Sequence, residues 1–500
     1  MAEFDIAVIG GGINGAGIAR DAAGRGLRVL LVEQNDLGSG TSSASSKLVH
    51  GGLRYLEHWA FGLVRESLTE REVLMRVAPH LVHPARFVLP VDPHGRSAWM
   101  LRLGLYLYDW LGRGGSLPPA AEIDLNVNPA GTPLRRAFFS GFEYSDCLVD
   151  DARLVVLTAL DAAERGAVVS TRTRCTRAER SDEWSLVLNR RGERWVTTAR
   201  VLVNATGPWL PQFCELVLRQ KKRAPVRLVK GSHIVVPRLA GHDRPYIFQN
   251  PDRRVVFAIP FQNDFTLIGT TDVDFVGDLA ALAPSREEIA YLCDAANLYF
   301  REIVSTADVV WAFAGVRALY DTGRRRAQEA SRDYKAVLDQ RFGRAPLLNL
   351  YGGKLTTYRR VAEEVMDKLA IFFAPRPAWT SDAVLPGGDL GGDTLAQFVE
   401  RLRHERAFLS EELAARLAGA YGSRAERILQ DARSLDDLGQ DFGHGLSAAE
   451  VRYLMQHEWA ETVDDVLWRR TKLGLKFAPQ QKDALARFMA DEARDPARRG

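Results

Sequence analysis

An apolar strand, a run of glycines and a helix open this chain, and no other feature restricts its fold as tightly. Phe4 to Ile9 reads FDIAVI and is followed at once by Gly10-Gly11-Gly12-Ile13-Asn14-Gly15. Gly10, Gly12 and Gly15 fit G-x-G-x-x-G: a tight turn, a backbone that can approach a pyrophosphate, and a helix that can pack closely on its strand. Ile13 and Asn14 open that helix, whose free N–H groups and dipole suit a phosphate. Small Ala19, Ala22 and Ala23 lie along it, and Gly26 stands where a helix ends in the left-handed region. Arg28 to Val32 then reads as a second strand delivering Glu33. A carboxylate there accepts hydrogen bonds from ribose hydroxyls and repels a 2′-phosphate. A glycine motif alone would be an ordinary turn. Strand, glycines, helix, strand and acid in this order predict a dinucleotide site.

At 500 residues the chain exceeds what one core supports, because single cores stop growing at roughly 250–300 residues, so two or three domains are expected. A net charge of +3 is too mild to imply nucleic acid, although it suits an anionic substrate or membrane surface. Cys147, Cys175, Cys214 and Cys293 are widely spaced, so neither a metal cluster nor a disulfide framework is expected. The opening Met-Ala-Glu-Phe-Asp lacks a basic, apolar leader pattern, and no apolar stretch approaches the roughly 20 residues that span a bilayer. The expectation is a cytosolic or peripheral protein.

Two later segments favour FAD over a nicotinamide cofactor. Val201 to Asn204 is an apolar strand ending in Ala205-Thr206-Gly207, a small-residue turn that can abut the adenylate again. Leu347 to Tyr351 leads into Gly352-Gly353-Lys354-Leu355-Thr356-Thr357, a strand, glycine turn and helix start where a flavin pyrimidine could meet a helix N-terminus. The fingerprint occurs once, which disfavours a protein with two nucleotide-binding units.

With these pieces, Thr41-Ser42-Ser43-Ala44-Ser45-Ser46-Lys47-Leu48-Val49-His50-Gly51-Gly52-Leu53-Arg54-Tyr55 closely resembles the FAD-dependent glycerol-3-phosphate dehydrogenase family. So do Lys230-Gly231-Ser232-His233, Gly269-Thr270-Thr271-Asp272, Gly315-Val316-Arg317, Arg332-Asp333-Tyr334 and Asp464 to Thr471. The resemblance implies an α/β fold: a Rossmann-type, glutathione-reductase-like FAD-binding domain, an antiparallel-sheet substrate domain and a C-terminal helical domain. It implies oxidation of glycerol 3-phosphate to dihydroxyacetone phosphate by a peripheral enzyme on the inner face of the cytoplasmic membrane, with ubiquinone or menaquinone as acceptor. A homodimer is compatible with it. Two departures stand out: Ala318 replaces a proline after the Gly-Val-Arg turn, and Asp321 to Arg326 is basic where acids are common.

Carried onto this chain, the resemblance places Thr41, Ser42, Ser46, Lys47, Leu48, His50 and Gly51 at the cofactor, His50 as a flavin neighbour. Arg54, Arg317, Arg332 and Lys354 become phosphate-binding and charge-stabilising groups, with hydrogen bonds from Tyr55 and Thr270. Arginine forks and a lysine point charge suit a phosphate dianion, although most arginines in a basic-rich chain are merely solvated. His233 lies at the start of an apolar strand, and an imidazole suits a general base; a structural histidine is the plain alternative.

The expected FAD domain is discontinuous, from 1–70, 145–215 and 310–380, with a substrate domain from 71–144 and 216–309. Glycines at 386–392 mark a linker to helices in 390–500. Arg96 to Leu111 is apolar and aromatic with basic residues at one end; it suits a bilayer interface or a buried packing helix equally. The rival functions are an oxidase passing electrons to O₂, an amine oxidase, which the basic cluster opposes, and a flavin-binding scaffold without turnover.

Overall fold

The structure is a computed structural model describing residues 2–92, 95–220, 225–252, 254–321, 334–374 and 376–494. Phe4–Ile9 pairs in parallel with Val29–Val32 on one side and with Glu193–Asn204 on the other. Arg344–Tyr351 and Val168–Ser170 extend the parallel run, and antiparallel Lys335–Arg341 closes one edge of an eight-stranded sheet. The strands are continuous apolar runs because both faces are covered. Ile6, Val8, Leu31 and Val203 pack against helices Ile13–Gly24, Asp151–Glu164 and Tyr358–Leu369. Ala7, Ile9, Leu30 and Leu202 pack beneath the antiparallel strands Thr173–Arg180 and Trp184–Arg190.

A second, ten-stranded sheet is antiparallel except for one parallel bridge, Tyr246 to Val88. Val226–Pro237 carries His233. It pairs with Trp311–Tyr320 on one side and with Phe265–Gly269 and Val273–Asp274 on the other. Trp311–Tyr320, expected within the FAD domain, thus pairs into this second sheet. Gly315-Val316-Arg317, expected as a turn, lies within that strand because the long partner Val226–Pro237 supplies its ladder. Ala318 continues the strand opposite Leu228, and unlike proline it retains an N–H and a free φ there. His233 is likewise mid-strand rather than at a strand start.

The C-terminal region has its own core around Phe398, Leu417, Tyr421, Val451 and Leu467. Helix Leu395–Glu405 is capped by Thr394 in a reciprocal bond with Gln397, and helices Glu411–Tyr421 and Ala448–His457 by Ser410 and Ser447. Ion pairs fasten this region to the nucleotide-binding half: buried Arg153 to Glu458 and Arg470 to Asp36 at 2.6 Å, and half-buried Arg172 to Asp465 at 2.6 Å.

Candidate functional site

The glycine run is a cradle in which side chains have no room. A Cβ on Gly15 would fall 1.8 Å from the Gly10 carbonyl oxygen, and one on Gly10, whose φ is +114°, 2.4 Å from that of Ala205. Helix Ile13–Gly24 thus sits hard on its strand, with its N-terminus toward a cavity of about 400 Å³. Glu33 lines one end and accepts N–H bonds from Gly11 at 2.7 Å and Asn35 at 2.8 Å. Burial outweighs these bonds and lifts its carboxyl above the ordinary range. Gly12, Ile13, Asn14, Thr41, Ser42, Ala205, Thr206 and Gly207 line the middle. Ser42 Oγ accepts from the Ile13 N–H at 3.0 Å, and Asn14 Nδ2 donates to the Gly352 carbonyl at 3.2 Å.

Leu48, His50, Tyr55, Thr270, Arg317, Gly353, Lys354, Leu355 and Thr356 line the other end. The His50 N–H donates to Thr356 Oγ1 at 3.3 Å. The second glycine turn lacks an immediate helix; residues 355–357 form a turn and the helix starts at Tyr358. Among the described residues, five expected at the site do not line the cavity: Gly15, Lys47, Gly51, Arg54 and His233. Gly15 acts through packing, and Gly51 donates its N–H to the Tyr108 hydroxyl at 2.8 Å. Lys47 is buried in a 2.8 Å ion pair with Asp151 and donates to the Ser43 carbonyl, pinning its loop to helix Asp151–Glu164. Arg332 lies outside the described residues.

The basic groups converge on a residue that the sequence reading left without a role. Arg317 Nη1 donates to Asp272 Oδ1 at 2.6 Å, and Arg54 Nη1 lies 3.7 Å from Asp272 Oδ2. Asp272 therefore spaces the two guanidiniums around one opening. Its position beside Thr270 and Thr271 was the only available signal. Gly231 keeps this space clear, since a Cβ there would stand 2.5 Å from Thr270 Oγ1 and 3.1 Å from Arg317 Nη2. Lys354 Nζ lies over the Tyr55 ring, 3.9 Å from its centroid.

His233 stands behind this opening, 2 % exposed, with Nε2 2.9 Å from Ser46 Oγ. Ser46, expected at the cofactor, lines the cavity and also holds this imidazole. Burial, then the charges of Arg317 and Lys47, push the imidazole down to about 3, so it is neutral at physiological pH. Among the described residues no group of three or more His, Cys, Asp or Glu could hold a metal ion.

Residues 5–359 match the family profile described as FAD dependent oxidoreductase, and residues 378–495 match the C-terminal domain of alpha-glycerophosphate oxidase. The chain belongs to the FAD-dependent oxidoreductases. A glycerol-3-phosphate dehydrogenase of Pseudomonas aeruginosa is 51% identical over 98% of this chain and 95% of that protein. A D-erythritol 1-phosphate dehydrogenase of Brucella abortus is 46% identical over 97% of each chain. The solved glycerol-3-phosphate dehydrogenase of Bacillus halodurans complexed with FAD superposes with a TM-score of 0.78 at 28% identity, covering 100% of this chain and 93% of that one.

The residues of this oxidoreductase fit FAD. The glycine cradle excludes any Cβ where a pyrophosphate would lie, Glu33 stands at the ribose end, and the Gly353 turn reaches the far end of the same cavity. Leu48, Phe257 and the Gly353–Thr356 segment line the end of the cavity next to the basic opening.

Proposed function

We propose that this enzyme oxidises sn-glycerol 3-phosphate to dihydroxyacetone phosphate and delivers the electrons to a membrane quinone. The observation that carries the reading is the Arg54–Asp272–Arg317 cluster opening beside His233 at the Gly353 end of the cofactor cavity. When bound, FAD supplies the two-electron acceptor, taking the hydride at N5.

The chain's own residues do the rest. Arg54, Arg317 and Lys354 grip the phosphate dianion, and their positive charge stabilises the substrate oxygen as its proton leaves. Thr270 and Tyr55 complete the rim. As the C2–H bond gives up its electron pair as hydride, the C2–O bond becomes a carbonyl, and His233 would take the hydroxyl proton. A neutral, weakly basic imidazole suffices because the hydroxyl acidifies steeply as hydride departs, so no earlier deprotonation is needed. The phosphate grip and the secondary alcohol are common to glycerol 3-phosphate and D-erythritol 1-phosphate. Both relatives therefore fit the same charged end, and selectivity rests on the room left for the longer carbon chain.

Helix Ala98–Leu111 supports a peripheral membrane role. It buries Leu101, Leu105 and Tyr108 but exposes Trp99, Met100, Leu103, Tyr106 and Trp110, with Arg96 and Arg102 at its head. Among the described residues no helix is long and apolar enough to cross a membrane. An exposed aromatic face suits a bilayer interface, while Arg96 and Arg102 are held by Glu57 and Glu122. Turnover with glycerol 3-phosphate, D-erythritol 1-phosphate and glycerol, measured separately with a quinone analogue and with O₂, tests the assignment. The expected result is turnover of glycerol 3-phosphate with quinone and little peroxide. Equal rates with glycerol would remove the phosphate grip, and a dominant peroxide yield would make the enzyme an oxidase. Flotation with anionic vesicles tests the helix; a chain that stays at the bottom of the gradient contradicts it.

A further inference from the structure

We propose that Trp468, in the C-terminal region, is a positioning residue for His233 and acts through a column of aromatic rings. His233 is held by only one hydrogen bond: Nε2 meets Ser46, while buried Nδ1 has no hydrogen-bond partner among the described residues. A histidine that must present one nitrogen to a substrate is normally fixed through the other. Here packing replaces that second bond. On one face, Gly269 leaves so little room that a Cβ would lie 2.1 Å from His233 Cδ2. On the other, Phe313 stacks at 5.0 Å and 11°. Gly269, His233 and Phe313 are direct cross-strand neighbours on three adjacent strands, so the register itself builds this clamp.

The clamp is backed from outside the sheet. Trp311, two residues from Phe313 and so on the same face of its strand, lies 4.5 Å from the Phe313 ring. Trp468 stacks on Trp311 at 4.6 Å and 29°. Gly474 closes the column, because a Cβ there would fall 2.5 Å from Trp468 Cε2. The helical turn Asp465–Arg470 that carries Trp468 is anchored on the nucleotide-binding half by Asp465 to Arg172 and Arg470 to Asp36. The segment Asp464 to Thr471, which has no part in the chemistry, thereby gains a role: it sets the orientation of the imidazole.

This proposal rests on the reading of His233 as the group that takes the hydroxyl proton. The test is anaerobic flavin reduction by glycerol 3-phosphate in the wild type, Trp468→Ala, Trp468→Leu and Trp468→Phe, each also in a His233→Ala background. Loss of the ring should slow the limiting rate about tenfold, since small misplacements of a reacting group cost this much or more. Flavin content and the half-saturating concentration should stay at wild-type values, and Trp468→Phe should restore the rate. In the His233→Ala background the same changes should have no further effect, because the two residues act as one unit. Trp468→Leu decides by the same criteria if the alanine chain does not fold. A wild-type flavin that bleaches while the Trp468 variants keep their rate overturns the positioning role. So does a rate loss that adds in full to that of His233→Ala, or one accompanied by flavin loss. A wild-type flavin that stays oxidised overturns the reading of the site instead, and this proposal with it.

Discussion

The two ends of the cofactor cavity are built by different means. At the Glu33 end much of the wall is backbone: Gly10, Gly12 and a helix N-terminus beside the Glu33 carboxylate, with Gly15 packed behind them. At the Gly353 end side chains from distant parts of the chain form the walls, among them Tyr55, Thr270, Arg317 and Lys354, with Asp272 and Arg54 beside Arg317 and His233 buried behind. A backbone site tolerates no added atom, whereas a side-chain site loses strength one group at a time. Cofactor retention and turnover should therefore separate cleanly under mutation.

The largest effect should come from the backbone end. Gly15→Val places a side chain where even a Cβ is 1.8 Å from the Gly10 oxygen, so the protein should purify without flavin. Visible absorbance checks this, and full flavin content would break the comparison. At the other end, Arg317→Ala should keep its flavin and lose about 100-fold in kcat/KM, the scale of removing one charged donor from a developing oxyanion or phosphate. Asp272→Asn should do less, because the arginines remain while their spacing relaxes; a rise in KM with little change in kcat is expected.

A pH series sharpens the contrast further. Burial first, then Arg317 and Lys47, hold the His233 imidazole at about 3, so it carries no proton until the medium is strongly acidic. With saturating substrate, the limiting rate of flavin reduction should stay level from about pH 8 down to about pH 5, instead of falling near the ordinary value of about 6.5. A titration close to 6.5 would mean that His233 is solvated in the working enzyme. The smallest effect concerns the docking of the C-terminal region. Burial alone would raise the carboxyl of Asp465, but Arg172, Arg469 and backbone N–H groups overcome this and hold it at about 2. A depressed carboxyl contributes stability that is complete above its unfolded value of 3.8 and is lost as pH falls toward about 2. At ~1.4 kcal/mol per unit this amounts to about 2 kcal/mol. Asp465→Asn should remove that share of the acid dependence between about pH 4 and pH 2, as read by tryptophan fluorescence.

The difference between the two ends also explains what could be read from the chain alone. The glycine cradle and Glu33 are legible because their geometry is encoded by spacing within one βαβ unit. The C-terminal helices were legible from apolar residues at three- and four-residue spacing. Asp272 and Phe313 were not assigned, because a pairing across strands leaves no local pattern. Gly315 to Arg317 was a turn by resemblance alone, whereas here Gly315 admits Ala44 beside a strand, 3.0 Å from a would-be Cβ. The partner of Lys47 was equally illegible: the motif suggested the cofactor, and the ion pair of its side chain with Asp151 joins residues 104 apart in sequence.

The most direct test of the whole account is to titrate the purified holoenzyme with glycerol 3-phosphate in the absence of oxygen while following the visible flavin absorbance. The account predicts stoichiometric bleaching that glycerol and amines do not reproduce. A bound flavin that stays oxidised would contradict it, leaving the fold in place and the substrate assignment without support.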